Sequence, residues 1–271
     1  MDAERFYEMQ KQRFEIFKSQ DFESGFFDVT FEVEGQKIFA DKFTLTTISA
    51  PFKTMLSERW TKNDEAIELQ SHSYANFYRF LTFLYSGKCD LNSRNFSAMV
   101  DLAEFYDVSA LKILCDERLS QSPTKYEDRS IFHFIEVSKR FSLIKSLSML
   151  KGYVSQNFST LLHSPYFLKS NKAVIDLFLT CERDSLQEEL LFESVFKWAE
   201  IQVEQNYQID EKFDFNEAIK NELIKILPNI NFIQMSHEFL IQYVVKKAFL
   251  FSGDELSVIL LQNYNETTGK S

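Results

Sequence analysis

The side chains that could do chemistry in this sequence are few and scattered. His72, His133, His163 and His237 stand alone, with no HxxxH or HExxH spacing to aim two imidazoles at one metal. Cys89, Cys115 and Cys181 make no CxxC pair, and their apolar settings suit inert core residues better than nucleophiles. Neither a Gly-x-Ser-x-Gly elbow nor a GxxxxGK[ST] phosphate loop occurs. Glu188 and Glu189 are adjacent, and adjacent helical residues point in different directions. They read as a first-turn pair favoured by the helix dipole, not as an acid/base couple. The expectation is a non-enzyme with no catalytic residues, no cofactor and no metal.

Composition narrows the remaining classes. With 45% hydrophobic residues in 271, the chain can bury a core, so wholesale disorder is not expected. Six glycines and four prolines argue for helices joined by short turns, against a β-propeller. A net charge of -10 disfavours nucleic acid, which is bound mainly through Lys and Arg, and anionic membrane surfaces likewise. The start, Met1-Asp2-Ala3-Glu4-Arg5-Phe6, is charged and is no secretory signal; the apolar runs are too short to span a membrane. An odd cysteine count suits a reducing compartment, so a cytoplasmic or nuclear location is expected.

The elements that would position any functional residue follow from periodicity. Residues 6–18 predict a helix with an imperfect stripe of Phe6, Met9, Phe14 and Phe17. Val29, Phe31 and Val33 alternate with polar residues, Glu34-Gly35 supplies a turn, and Ile38-Phe39 begins the return strand. Ile67 and Leu69 predict a third short strand. Phe77, Phe80, Leu81, Leu84 and Tyr85 make a helical stripe that ends at Gly87, a left-handed cap. Further stripes run through Phe96, Met99, Ala103 and Tyr106, with Phe105 off that face, and through Leu111, Leu114, Cys115 and Leu119. Ser120–Thr124 is polar, contains Pro123 and reads as a boundary. Beyond it the pattern is helical almost throughout. Ser185 with Glu188 fits a capping box opening a helix that carries Leu191, Val195, Trp198 and Ala199.

The order Phe27–Gly35, Ile38–Leu45, Ser49–Leu56, Ile67–Leu69 and Phe80–Lys88 resembles the BTB/POZ fold. The second half resembles the BACK domain that follows BTB in kelch-type ubiquitin-ligase adaptors. Tyr153–Phe158, Glu188–Trp198 and Ile230–Leu240 carry that likeness, the last matching at Phe232, Met235, Ser236, Glu238, Phe239 and Leu240. The resemblance implies an α+β BTB/POZ domain, a short sheet packed with helices, followed by an all-α BACK domain. The expected divisions are an amino-terminal dimerisation helix at 1–24, the BTB domain at 25–120, the BACK domain at 125–262 and a flexible tail at 263–271. The sequence departs from the family in having Asp41 where many BTB domains carry His, and His237 where Pro is usual. No kelch array, MATH domain or zinc-finger spacing is present in the sequence, which leaves open how a client would be chosen.

The same resemblance assigns a dimer interface and a partner face. Phe6, Met9, Phe14 and Phe17 would pack across a homodimer, with an intramolecular flap as the alternative, and Asp28 with Lys42 would form a charged pocket there, unless they are only a strand-end Asp and a solvated Lys. Cullin-3 binders of this family use the loop after the helix at Ala50–Leu56, often with a φ-x-E motif. Here the site falls on Arg59-Trp60-Thr61, so the motif is absent. Leu56, Arg59, Trp60, Thr61 and Phe105 are the candidate contacts with the cullin-3 amino-terminal domain. Trp60 suits either an interface anchor or a cover for the domain's own core. The expected function is an adaptor or scaffold of a cullin-3 RING ubiquitin ligase with an unknown client. A ubiquitin-independent dimeric scaffold in transcriptional or cytoskeletal assembly is the alternative.

Overall fold

In the computed structural model the alternating residues form strand β1 (Val29–Val33), with Val29, Phe31 and Val33 buried and Thr30 and Glu32 half-exposed. It pairs antiparallel with β2 (Gln36–Ala40), Phe31 opposite Ile38, and parallel with the short β3 (Ile67–Glu68), giving the order β2-β1-β3. The hairpin turn needs positive φ at both central residues, and Glu34 (φ 51) and Gly35 (φ 72) supply it.

The structure describes residues 2–57, 66–121, 127–206 and 213–268. They divide into two units by contact: Met1–Ser122 with Phe141–Ser146, and Pro123–Arg140 with Leu147–Ser271.

In the first unit, helices α1 (Asp2–Ser19), α2 (Lys42–Ile48), α3 (Ala50–Met55), α4 (Tyr74–Ser86), α5 (Phe96–Phe105) and α6 (Ser109–Ser120) accompany the sheet. The core is aromatic. Phe31, Phe52, Phe77, Phe80 and Tyr106 are fully buried and stack or meet edge-on at centroid distances of 4.3–6.2 Å. Helix α4 stops as its sequence requires, with Gly87 at φ 68 donating its N–H to the Phe83 carbonyl. Ser49 starts α3 by accepting from Phe52 N, while its hydroxyl donates to the Tyr106 carbonyl at 2.6 Å. The discontinuous piece Phe141–Ser146 is fastened by Asp116 on α6. That carboxylate accepts from the N–H groups of Lys145 (3.1 Å) and Ser146 (2.7 Å) and from the Ser146 hydroxyl (2.6 Å).

The second unit is helical: α7 (Asp128–Arg140), α8 (Ile144–Gln156, which starts in the first unit), α9 (Phe158–Leu162), α10 (Lys172–Leu179), α11 (Ser185–Asn206), α12 (Phe215–Leu223), α13 (His237–Phe239) and α14 (Gly253–Thr268). Leu191, Val195, Trp198 and Ala199 of α11 are buried, as their spacing predicts. The capping box lies one residue earlier than expected. Asp184 Oδ1 accepts from Gln187 N (2.8 Å) and Gln187 Oε1 accepts from Asp184 N (3.2 Å). Glu188 is taken up elsewhere, since it turns inward to meet Arg183 Nε at 2.9 Å. Glu188 lies in the first turn of α11 as expected but is buried, and Glu189 accepts from Ser236 N. No described helix is long and apolar enough to cross a membrane.

Candidate interaction surface

The sequence marks two faces of the first unit for partners, and the structure treats their residues unequally. On α1, Phe17 is fully buried in its own unit, stacked on Tyr85 (4.1 Å between centroids) and Tyr78 (5.5 Å) of α4. Phe14 is half-buried beside it at 6.5 Å. Met9 is 58% exposed and Ile16 47%. Helical geometry explains the split. At 3.6 residues per turn, Phe14 and Phe17 lie about 60° apart, whereas Met9 and Ile16 lie about 20° apart on another side. The expected four-residue stripe is therefore corrected: Phe17 belongs to the intramolecular core, and the open apolar face is Met9 with Ile16. The side chain of Phe6 lies outside the described residues.

Asp28 and Lys42 do meet, but through the backbone. Asp28 Oδ1 accepts from Lys42 N at 2.6 Å, at the first turn of α2. The carboxylate thus serves the helix start, where an anion is favoured. Next to it, Asp41 is the N-cap of α2, accepting from Thr44 N at 2.7 Å. Its other oxygen accepts from the Tyr85 hydroxyl (2.6 Å), which in turn accepts from Asp41 N (2.8 Å). Burial first, and the carboxylate second, push the Tyr85 phenol far above its ordinary pKa, so it acts only as a neutral hydroxyl.

On the second face, Leu56 is 2% exposed and is a core residue, so it drops out as a direct contact. Arg59, Trp60 and Thr61 lie outside the described residues. Phe105, at the end of α5, is 60% exposed, and the off-stripe position read from the sequence explains why. Sequence reasoning missed its neighbour His72, which touches Phe77, Phe105 and Tyr106. It sits in a turn with no periodicity to mark it. The pocket between α1 and α4, lined by Lys11, Phe14, Glu15, Thr82, Ser86 and Lys88 among others, has a volume of about 370 Å³. It brings together a mixed set of charges and no converging nucleophile. Burial pushes the Cys115 thiol up to about 12 and that of Cys89 to about 11, which removes both as nucleophiles near neutral pH. No group of acidic, His and Cys side chains suited to a metal occurs among the described residues.

Comparison with known proteins agrees with the sheet-and-helix core. The family model described as BTB/POZ domain matches residues 17–123. The chain therefore carries a BTB/POZ domain, a protein-interaction module, and a helical region follows it. "ARM repeat protein interacting with ABF2" of Arabidopsis thaliana is 26% identical over 140 residues, 51% of this chain and 19% of that protein. Mouse (Mus musculus) Kelch-like protein 36 is 28% identical over 149 residues, 54% of this chain and 23% of that protein. The chain thus spans about a fifth of the length of these relatives. Among solved structures, the BTB domain of zebrafish PATZ1 is 23% identical, with 44% of this chain and 95% of that chain covered and a TM-score of 0.37.

Proposed function

We propose that this chain is a dimeric BTB–BACK adaptor that presents the cullin-3 amino-terminal domain to an as yet unknown client, in the cytoplasm or nucleus. The BTB/POZ match at residues 17–123, in a segment similar to Kelch-like protein 36, carries the reading. The helical second unit takes the role of the BACK domain, supported by the order of its helices and the Phe232–Leu240 segment. Phe105 supplies an exposed aromatic anchor of the kind that dominates interfaces.

Self-association is tested on the open face of α1. The wild type is expected to be a dimer by light scattering at micromolar concentration. Met9→Asp with Ile16→Asp should shift the mass toward monomer while the helical circular dichroism is kept, since both residues are exposed in the single chain. A monomeric wild type would sink the dimer.

Cullin binding is tested by calorimetry with the purified cullin-3 amino-terminal domain. Arg59-Trp60-Thr61 lacks the Glu of φ-x-E. A missing charge-assisted hydrogen bond costs about 1.5–3 kcal/mol, a tenfold to hundredfold loss, so the expected Kd is micromolar rather than nanomolar. Thr61→Glu should tighten it. Phe105→Ala should weaken it about tenfold or more with an unchanged melting temperature. No heat from either the wild type or Thr61→Glu at high concentration would replace this reading with the ubiquitin-independent scaffold.

A further inference from the structure

Phe105 is a large apolar ring left in solvent, held edge-on by Tyr106 (4.9 Å between centroids) and by a histidine. His72 lies half-buried just before α4. Its ring is parallel to Phe77 (5.8 Å, 4°), meets Phe105 edge-on (5.9 Å, 73°) and is tilted 50° against Tyr106 at 5.8 Å. Its Nε2 stands 3.4 Å from the hydroxyl of Tyr106, a residue with no exposure at all. We propose that His72 is a proton-controlled positioning residue for Phe105, so that this face of the BTB domain binds its partner when the imidazole is neutral and lets go when it is charged. The inference rests on the reading that Phe105 contacts the partner.

Solvation sets the preferred charge state of His72. Three aromatic rings flank the half-buried imidazole and take away part of its water, and taking a charge out of water is costly without a partner. Among the described residues, the groups facing it are few. Helix α4 offers Phe77, which carries no charge. Helix α5 offers Phe105 and the Asp101 carboxylate, which favours the charged ring. The Tyr106 phenol is held neutral, its pKa raised by burial. Burial is the largest influence and lowers the pKa of His72, with Asp101 opposing it. The ring faces would soothe a cation in part, but they do not overturn that order.

A partner that covers Phe105 must also cover the exposed part of His72. Binding then favours the neutral ring further and expels a proton on the acid side. The tight-binding state is complete above the lowered pKa of His72 in the free protein and is lost as pH falls through it. Between the pKa values of the free and bound protein, affinity falls by up to about tenfold per pH unit.

The test uses the full chain, wild type and His72→Phe, from pH 7.5 to 5.5. NMR follows the ring signals of His72 and Phe105, and calorimetry follows binding of the cullin-3 amino-terminal domain. In the wild type, the Phe105 signals should move with the His72 titration and the Kd should rise at least about threefold. In His72→Phe, both should be flat with pH. If that variant does not fold, His72→Leu takes its place, since it keeps an apolar prop without a proton. Phe105 signals indifferent to the charge on His72, or the same pH slope in wild type and variant, overturn the inference. Failure of both proteins to bind the cullin at any pH overturns the functional reading instead. The Phe105 titration then still decides the role of His72.

Discussion

Trp198→Ala is expected to lower the melting temperature of the second unit by on the order of 10 °C or more. The side chain is 2% exposed on the inner face of α11, beside Leu191, Val195 and Ala199. Truncating a buried Trp costs about 3–5 kcal/mol, a large part of a domain's usual stability of about 5–15 kcal/mol. At about 2–8 °C per kcal/mol for units of this general size, the shift is large. A second loss adds to the cavity. Trp198 Nε1 donates to the Ser170 carbonyl at 2.8 Å, across 28 residues of sequence. Trp198→Phe keeps most of the bulk but strands that buried carbonyl, which costs about 1–3 kcal/mol. The expected order of stability by calorimetry is therefore wild type, Phe, then Ala. An unchanged transition in the alanine variant would show that the ring does not support the core.

Arg183→Ala is expected to destabilise the same unit by about 3–5 kcal/mol in urea. The guanidinium has 7% exposure and Glu188 3%. Nε donates to Glu188 at 2.9 Å, Nη1 to the carbonyls of Phe178, Leu179 and Cys181, and Nη2 to that of Asn229 at 3.0 Å. Glu188 also accepts from Asn231 N. One side chain thereby ties the end of α10 to the start of α11 and to the turn at Leu227–Asn229. Its removal leaves a carboxylate buried without its cation, and several carbonyls without donors. Arg183→Lys restores the charge but not the planar fork, so it should recover only part of the loss. The double replacement Arg183→Met with Glu188→Leu should cost less than either single alanine, because no lone charge remains. A double variant that costs as much as the two single losses added together would mean that the pair is not coupled.

Periodicity made much of this fold readable. The β1–β2 hairpin was legible because alternation and Glu34-Gly35 agree on one register. Helix α4 was legible because its stripe ends at a glycine that can take positive φ. The burial of Trp198 follows from the same spacing. What escaped is held by contacts that leave no periodic trace. Arg183 binds carbonyls two to 46 residues away, and nothing in composition marks that. The capping box slipped because Ser185-x-x-Glu188 and Asp184-x-x-Gln187 fit the same pattern; only the inward demand of Arg183 on Glu188 decides between them. On α1 the sequence showed apolar residues but not which of two sides would find α4. Phe17 found Tyr85, and Met9 was left outside. For Phe105 the off-stripe position was enough to place it in solvent, whereas His72 needed coordinates.

The Asp116 clasp bears on how the protein is made. A ribosome delivers the chain in order, and domains generally fold as their residues emerge. The first unit here is not complete at Ser122, because the carboxylate of Asp116 waits for the N–H groups of Lys145 and Ser146. By the time those arrive, Pro123–Arg140 of the second unit is already outside. The Asp116 clasp is thus made only after part of the second unit has emerged. A message cut short after codon 122 would yield a nascent domain whose Asp116 lacks the N–H partners that Lys145 and Ser146 supply.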